Sequence, residues 1–186
     1  MNPVLATFHW MLDALESAGV PYMVMGGWAV QAWGRPRPTF DVDFTLSLSE
    51  DEFDGLLKQL DEKGALVDHA FLKGFRDTLA GFSKVHISRF EFPDPIRVDL
   101  FLVRTEYQRT AFSRRRQVAM FGRTVWVMAP EDLILHKLMA GRHKDLAAVE
   151  EIVDLHRNTG VLDGDYLRHW AAHLSVGEEL SRFLPS

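Results

Sequence analysis

The chain has 186 residues, of which 47% are hydrophobic and 25% charged, and its formal net charge is −5 at pH 7. This composition is typical of a globular protein, and the acidic balance argues against a general nucleic-acid binder, whose surface is usually strongly basic. The absence of cysteine excludes disulfides and thiolate metal sites and fits a reducing compartment. No long apolar run or export signal occurs, so we expect a cytoplasmic protein with no membrane partner.

The N-terminal part of the chain predicts a helix, a strand and then a glycine turn. Apolar residues recur with helical spacing over residues 4–18, which predicts an amphipathic helix. Residues 20–25 resemble a strand and residues 28–33 favour helix, so Gly26 and Gly27 lie at a strand-to-helix junction. Glycine at such a junction allows positive φ and a close approach of backbone N–H groups, and a helix start favours phosphate oxygens.

A proline-rich loop at residues 34–38 ends this helix and leads into a strand that carries two carboxylates. Because side chains alternate along a strand, Asp41 and Asp43 project from the same face. Such a pair repels itself unless a cation neutralises it or one group is protonated, and oxygen ligands suit Mg²⁺ or Mn²⁺. The loop also brings Arg35 and Arg37 beside the strand, either to contact a triphosphate or to form salt bridges with nearby carboxylates.

A third carboxylate, Asp99, lies in a later apolar strand over residues 96–103. Residues 84–92 also alternate, and residues 93–95 supply a turn, so a hairpin is expected to bring Asp99 into the sheet. If this strand lies beside the acidic pair, the three carboxylates can hold two cations, as in phosphoryl transfer. The alternative interpretation of Asp99 is a structural salt bridge with an arginine, which the sequence offers at positions 97 and 104.

The middle of the chain and its C-terminal part add further predicted elements. Ser49 followed by Glu52 is a capping box, which predicts a helix that ends near Gly64. Residues 66–69 are interpreted as a strand, and residues 74–81 as a loop over the site. The remaining predictions are a hairpin with strands at 116–120 and 124–128, and helices from 130, at 144–157 and at 162–184.

Arginines concentrate between residues 103 and 125, and two interpretations of them stay open. They form either a basic patch for an RNA acceptor or a triphosphate tail, or a solvated strand edge protected by charge. The residues concerned are Arg104, Arg109, Arg114, Arg115, Arg116 and Arg123.

These elements predict an α+β fold with a small mixed sheet flanked by helices. No internal repeat or linker divides the chain. We expect a core over residues 1–129 and a helical segment over residues 130–186 that packs on it as one unit.

The motifs together resemble the DNA polymerase β-like nucleotidyltransferase superfamily. The segments that match its glycine pair, its acidic pair and its later lone carboxylate are Met25-Gly26-Gly27, Asp41-Val42-Asp43-Phe44 and Val98-Asp99-Leu100. The likeness is closer to small bacterial members, the AbiEii toxin-like and antibiotic-modifying adenylyltransferases, in which a threonine such as Thr39 usually precedes the acidic pair. Many members have serine where this chain has Gly27.

The stretch from Pro130 to Leu146 resembles the Lys and Arg-x-Lys-Asp helical motif of the toxin-like group. Its matching residues are Lys137, Arg142, Lys144 and Asp145. A helix continuing through Gly141 would place Lys137, Lys144 and Asp145 on one face. Members of this group often have a further aspartate three positions after the motif, where this chain has Ala148.

The resemblance implies metal-dependent transfer of a nucleoside monophosphate from a nucleoside triphosphate to an acceptor hydroxyl on a small molecule, a tRNA or a protein. It implies Mg²⁺ or Mn²⁺ at Asp41, Asp43 and Asp99, with these residues and Lys144 catalytic. It implies nucleotide contacts by Gly26, Gly27, Arg35, Arg37, Thr39, Lys137, Arg142 and Asp145. The alternative is a non-catalytic module of the same fold that binds a nucleotide or a partner such as an antitoxin.

Overall fold

The structure, a computed structural model, describes residues 2–79, 82–89 and 95–184 of the chain. Within these residues an eight-stranded mixed sheet forms the centre of the fold. Its strands are β1 (Tyr22–Val24), β2 (Asp41–Leu46), β3 (Ala65–Val67), β4 (Asp77–Leu79), β5 (Phe82–Arg89), β6 (Ile96–Leu102), β7 (Arg116–Met120) and β8 (Arg123–Val127). Seven strands lie in the order β3-β5-β6-β2-β1-β8-β7, and β4 pairs with β5.

The described helices pack around this sheet, and several begin at the caps that the sequence supplies. Ser49 and Glu52 form the predicted capping box, and Thr105 with Gln108 forms a second one. The helices are α1 (Pro3–Ser17), α2 (Gly26–Trp33), α3 (Glu50–Glu62), α4 (His69–Leu72), α5 (Glu106–Ser113), α6 (Pro130–Ala140), α7 (His143–His156), α8 (Gly164–His173) and α9 (Gly177–Ser181). None of these helices is both long and apolar enough to cross a membrane.

The two faces of β2 have different roles, as the alternation of its residues predicts. Val42, Phe44 and Leu46 are fully buried, and the Phe44 ring stacks on Phe8 of α1 with centroids 5.9 Å apart. Asp41, Asp43 and Thr45 alternate with them and lie on the opposite face of the strand. One face of the sheet therefore builds the core, and the other presents carboxylates.

The α+β fold class is confirmed, with a mixed sheet and helices in the C-terminal part of the chain. The hairpin of β5 and β6 and the hairpin of β7 and β8 are also confirmed. Most of the predicted turn at residues 93–95, like residues 90–92 of the predicted strand, lies outside the described residues.

Two predictions about secondary structure are wrong, and a continuation that the sequence left open, the helix through Gly141, does not form. The stretch 74–81 contains strand β4, because its residues pair with the start of β5. The predicted helix 162–184 is two helices, α8 and α9, separated near Ser175, whose φ is +58°. The chain breaks at Gly141, whose φ of +63° ends α6, so no helix continues from Lys137 to Lys144. Helix α5 was not predicted, because it is short and its few apolar residues lie in an arginine-rich segment without a clear helical period.

Buried polar contacts join the C-terminal helices to the sheet region. Glu131 and Asp132 at the start of α6 are fully buried, and Arg114 approaches them at 3.3 Å and 3.6 Å. The Tyr166 hydroxyl of α8 donates to Asp132 at 2.7 Å. Burial raises the pKa of Asp132 to about 6, although Tyr166 and Arg114 act in the opposite direction. Arg114, the residue that follows α5, thus belongs to the same buried polar network as helices α6 and α8.

Candidate active site

Strands β2 and β6 are parallel neighbours, so the two acidic motifs of the sequence meet in the sheet. Asp43 is in register with Asp99, and Asp41 is in register with Arg97. Residues in register on adjacent strands project from the same face. The prediction that the strand of Asp99 lies beside the acidic pair is confirmed.

The glycine turn lies against the Asp43 carboxylate. Gly26 has φ +63°, and a Cβ atom there would lie 1.9 Å from Asp43 Oδ2, so only glycine fits without displacing the carboxylate. The Met25 N–H donates to the Asp43 carbonyl oxygen at 3.0 Å, which fixes the turn to β2. No side chain caps the start of α2. The first N–H groups of this helix therefore remain suited to bind an anion beside Asp43.

Thr39 links the second glycine to the acidic pair. Its hydroxyl Oγ1 lies 3.1 Å from Asp41 Oδ1, and a Cβ atom at Gly27 would lie 2.5 Å from the same Oγ1. The indole Nε1 of Trp28 donates to the Asp41 carbonyl oxygen at 2.9 Å. The loop before β2 is thus attached to the start of α2, and a hydroxyl occupies the space that a side chain at Gly27 would need.

Asp43 has the most perturbed environment of the three carboxylates. Burial, followed by repulsion from Asp41 and Asp99, raises its pKa to about 7, while Lys137 and Lys84 lower it. Among the described residues, no hydrogen-bond donor or cationic side chain pairs with its carboxylate. A partly buried carboxylate without a partner, beside a second one, is a suitable place for a divalent cation.

Asp99 is buried and both of its oxygens are paired with cationic side chains. Lys84 Nζ lies 3.2 Å from Oδ2, and Arg97 Nε lies 2.8 Å from Oδ1. The interpretation of a salt bridge with Arg97 is therefore correct for the described structure. Arg104 instead pairs with Glu50.

Lys84 is a site residue that the sequence analysis missed. It lies on β5, opposite Phe101 of β6, and only 7% of it is exposed. The available signal was a lysine within an alternating strand, which is also common at exposed strand edges. Its pairing with Asp99 depends on the register between β5 and β6, which the sequence did not reveal.

The three carboxylates do not converge as one cluster of ligands. Within the part of the chain that the structure describes, no group of three or more His, Cys, Asp or Glu side chains is placed to hold a metal ion. A pair of carboxylates such as Asp41 and Asp43 is compatible with Mg²⁺, because this ion is commonly bound by one or two carboxylates together with substrate phosphates.

The junction of α6 and α7 supplies a second charged group. Asp145 is fully buried and accepts from Lys137 Nζ at 2.7 Å and from Arg142 Nε. Burial alone would raise the pKa of Asp145, but the hydrogen bonds from Arg142 and Lys137 lower it. Asp43 and Asp41 help to raise the pKa of Arg142, after the larger effect of its bond to Asp145. Lys137 and Arg142 therefore act electrostatically on the acidic pair.

Lys144 is not part of this group. It is exposed on α7 and makes no ion pair with the residues that the structure describes. The break at Gly141 removes the helical face that Lys144 would have shared with Lys137 and Asp145, and its catalytic role, which the resemblance implies, stays a prediction. Ala148, at the position where the toxin-like proteins of the resemblance often carry an aspartate, is fully buried in the core.

Arg35 and Arg37 lie in the loop before β2, as predicted. The backbone N–H of Arg35 donates to Glu151 of α7, and Arg37 lines a surface groove together with Thr39. Neither guanidinium forms a salt bridge with a carboxylate of the described residues. The interpretation of these arginines as salt-bridge partners therefore finds no support, and triphosphate contact stays a prediction.

The arginines of residues 104–123 do not form one open basic patch. Arg114 and Arg116 pair with Glu131, and Arg123 pairs with Asp13 and Glu16. Arg115 stacks over Phe112 and Trp126. These side chains have structural partners, which favours the interpretation that they protect and anchor the strands.

Comparison with known proteins gives structural relatives only: no family model and no curated protein matches the sequence. ANT(2'')-Ia in complex with adenylyl-2''-tobramycin is similar with a TM-score of 0.61 and 16% identity, over 91% of this chain and 95% of that one. The lincosamide antibiotic adenylyltransferase LnuA, bound to lincomycin, is similar with a TM-score of 0.56 and 13% identity, over 78% of this chain and 93% of that one. An antigenic nucleotidyltransferase-like protein from Paracoccidioides brasiliensis is similar with a TM-score of 0.54 and 17% identity, over 100% of this chain and 98% of that one.

The chain has the nucleotidyltransferase fold. The fold that the resemblance predicts is thereby confirmed, and the AbiEii-like subgroup stays a prediction. In this nucleotidyltransferase fold, the glycine turn, the acidic pair of β2 and the carboxylate of β6 occupy one end of the sheet face.

Proposed function

We propose that this protein is a metal-dependent nucleotidyltransferase that moves a nucleoside monophosphate from a nucleoside triphosphate to an acceptor hydroxyl. The observation that carries the proposal is the environment of Asp43. Its carboxylate has no partner in the part of the chain that the structure describes, it lies against the Gly26 turn, and Asp43 is in register with Asp99. A structural carboxylate is usually paired or exposed, whereas this one is suited to a divalent cation, beside a glycine turn whose N–H groups are suited to a phosphate.

Asp41 and Asp43 hold Mg²⁺ or Mn²⁺ in this proposal, and Thr39 orients Asp41 through its hydroxyl. An ion held there would offset the negative charge of the triphosphate. The N–H groups at Gly26 and Gly27 bind phosphate oxygens at the start of α2. Lys137 and Arg142, held by Asp145, add positive charge that stabilises the departing group.

The chemical step is an in-line displacement at the α-phosphorus. The acceptor oxygen forms a bond to this phosphorus while the bond to the oxygen that leads to the β-phosphate breaks, and pyrophosphate leaves with the electron pair. Asp99 takes the proton of the acceptor hydroxyl. Lys84 and Arg97 hold the Asp99 carboxylate in place beside Asp43.

A small hydroxylated compound is the acceptor class that we propose. Two of the structural relatives were solved with an adenylylated aminoglycoside and with a lincosamide. The protein also lacks an open arginine patch among its described residues, since the arginines of residues 104–123 have structural partners. This arrangement does not favour RNA, whose phosphates require accessible positive charge.

The test is incubation with Mg²⁺, each α-labelled nucleoside triphosphate and a panel of aminoglycosides, lincosamides and tRNA. We expect label on a small hydroxylated acceptor, equimolar pyrophosphate, and a rate reduced by roughly 10²–10³-fold in Asp43→Asn, as for loss of a central electrostatic group. The alternative binding module predicts nucleotide binding without pyrophosphate. That result, with Asp41→Asn and Asp43→Asn binding as well as wild type, would overturn the proposal.

A further inference from the structure

The three carboxylates of the acidic site differ in how many cationic groups of the protein they already bind. Among the described residues, the Asp41 carboxylate accepts only from the Thr39 hydroxyl, and the Asp43 carboxylate has no partner. Asp99 already receives one cationic group on each oxygen, Lys84 at 3.2 Å and Arg97 at 2.8 Å. The position between Asp41 and Asp43 is therefore suited to a divalent ion, and the position at Asp99 is not.

Lys84 is a buried and paired part of this arrangement. Its side chain is 9% exposed, and its ammonium lies 5.9 Å from the centre of the Phe101 ring as well as against Asp99. A lysine is rarely buried unless its charge is paired, and a buried pair in a region of low dielectric is screened little by salt. Strand β5 thus delivers a fixed positive charge to the carboxylate of β6.

We propose that Lys84 occupies the place of a second divalent cation at Asp99, so that this site binds one Mg²⁺ per chain rather than two. The inference rests on the proposed function. It assigns Lys84 as a positioning residue, which acts through Asp99. It replaces the expectation that the three carboxylates hold two cations with the expectation that Asp41 and Asp43 hold one.

The physical reason is competition for the same carboxylate oxygens. A second ion at Asp99 would have to displace Lys84 or Arg97 from an oxygen, and it would then face the ammonium of Lys84 at short range. Two like charges in a partly buried site repel strongly. The Asp43 carboxylate has no such partner to displace among the described residues, and Asp41 and Asp99 add negative charge beside it, which outweighs the opposite effect of Lys137 and Lys84.

The experiment counts Mn²⁺ ions in the complex with α,β-methylene-ATP, which binds without turnover. Free Mn²⁺ is measured by electron paramagnetic resonance during titration of the full chain. One tight Mn²⁺ per chain is expected, and two would overturn the inference while leaving the proposed function intact. Binding of the analogue with no Mn²⁺ at all would overturn both.

Variants test whether Lys84 is the group that excludes the second ion. Lys84→Met should raise the count from one to two, whereas Lys84→Arg, which keeps the charge, should stay at one. Lys58→Met is the matched control on an exposed position of α3 and should also stay at one. A count of one in a folded Lys84→Met protein contradicts the proposal.

A further variant keeps the inference testable if Lys84→Met does not fold. Asp99→Asn removes the carboxylate charge but keeps the shape of the side chain. If Asp99 holds no metal, this variant retains one Mn²⁺ with affinity within about threefold of wild type. A fall from one to none would show that Asp99 is a metal ligand and would refute the assignment of Lys84.

Discussion

Gly19 and Gly26 have nearly the same backbone conformation in different surroundings. Their φ angles are +65° and +63°, but a Cβ atom at Gly19 would meet no atom within 4 Å, whereas one at Gly26 would lie 1.9 Å from Asp43 Oδ2. The two positions therefore separate the cost of backbone strain from the effect on the carboxylate.

We predict that Gly26→Ala abolishes Mg²⁺-dependent binding of a nucleoside triphosphate, because the added methyl group displaces Asp43. Gly19→Ala should lose only stability, about 1–2 kcal/mol for a left-handed alanine, and keep the binding. Thermal shifts with and without Mg²⁺ measure both effects. Equal loss of binding in the two variants would show that the contact with Asp43 is unimportant.

The raised pKa of Asp43 predicts a dependence of stability on pH in the metal-free protein. The folded state holds the proton up to about pH 7, whereas the unfolded chain releases it near 3.8. The folded state thus binds more protons between these values, so the free energy of unfolding falls as pH rises from about 4 to about 7. Asp43 costs stability at neutral pH until a cation is bound.

Asp43→Asn should therefore stabilise the metal-free protein at pH 8, by roughly 1–3 kcal/mol once solvent screening is allowed for. It should remove the stabilisation that Mg²⁺ gives to wild type. Denaturant unfolding in chelator at pH 5 and pH 8 is the measurement, with the exposed Asp61→Asn as control. An equal or lower stability of Asp43→Asn at pH 8 would contradict the account.

Sequence patterns identified some residues of the site and could not identify others. Asp41, Asp43 and Asp99 were predicted because a charge within an apolar strand is unusual, and the glycine pair because it lies at a strand-to-helix junction. Lys84 was missed because its role comes from register across two strands. Lys144 was selected over Lys137 as the catalytic residue, yet a left-handed Gly141 places Lys137 in the buried pair.

At the scale of elements, the junction between α6 and α7 determines which lysine faces the acidic pair. Lys137 lies in the last part of α6 and pairs with Asp145 in the first turn of α7. Gly141 allows the chain to turn between them. The break thus brings the two helix ends together through a buried ion pair.

We predict that Lys137→Met weakens Mg²⁺-nucleotide binding by roughly 10–100-fold, as expected for loss of a charged interaction of about 1.5–3 kcal/mol. Lys144→Met, its exposed counterpart, should change the affinity less than twofold. Isothermal titration with α,β-methylene-ATP compares them, and circular dichroism checks their folding. A larger effect of Lys144→Met than of Lys137→Met would show that Lys144, which the sequence motif indicated, is the functional lysine.

At the scale of the whole molecule, the buried carboxylates of α6 join the helical segment to the sheet region. Glu131 contacts Arg114 and Arg116, and Asp132 accepts from Tyr166 of α8. Because these contacts cross the predicted boundary at residue 129, the core and the helical segment are expected to unfold together.

Calorimetry of the full chain should therefore show one transition. Tyr166→Phe removes the hydroxyl that donates to the buried Asp132 and should lower the stability of the whole protein by about 1–3 kcal/mol. Arg168→Ala, which breaks only an exposed pair with Asp165, should cost less than about 1 kcal/mol. Two separate transitions, or a shift of only one part, would show that the predicted division marks independent units.

The secondary-structure elements and the fold class were more predictable than the order and the pairing of the strands. Alternation in residues 41–46 and 96–102 indicated the central strands, and the capping box at Ser49 indicated α3. The order of the strands and the pairing of β4 with β5 depend on contacts between distant residues, which local patterns do not encode. The same limit applies to the partners of the arginines.

The central claim is that Asp41 and Asp43 form a divalent-ion site beside the Gly26 turn. A crystal structure with Mn²⁺ and α,β-methylene-ATP, with anomalous data, tests it most directly. We predict a peak about 2.0–2.2 Å from oxygens of both carboxylates and of the triphosphate, whose phosphates also contact the Gly26 and Gly27 N–H groups. A nucleotide bound elsewhere, or Mn²⁺ remote from Asp43, would contradict the account.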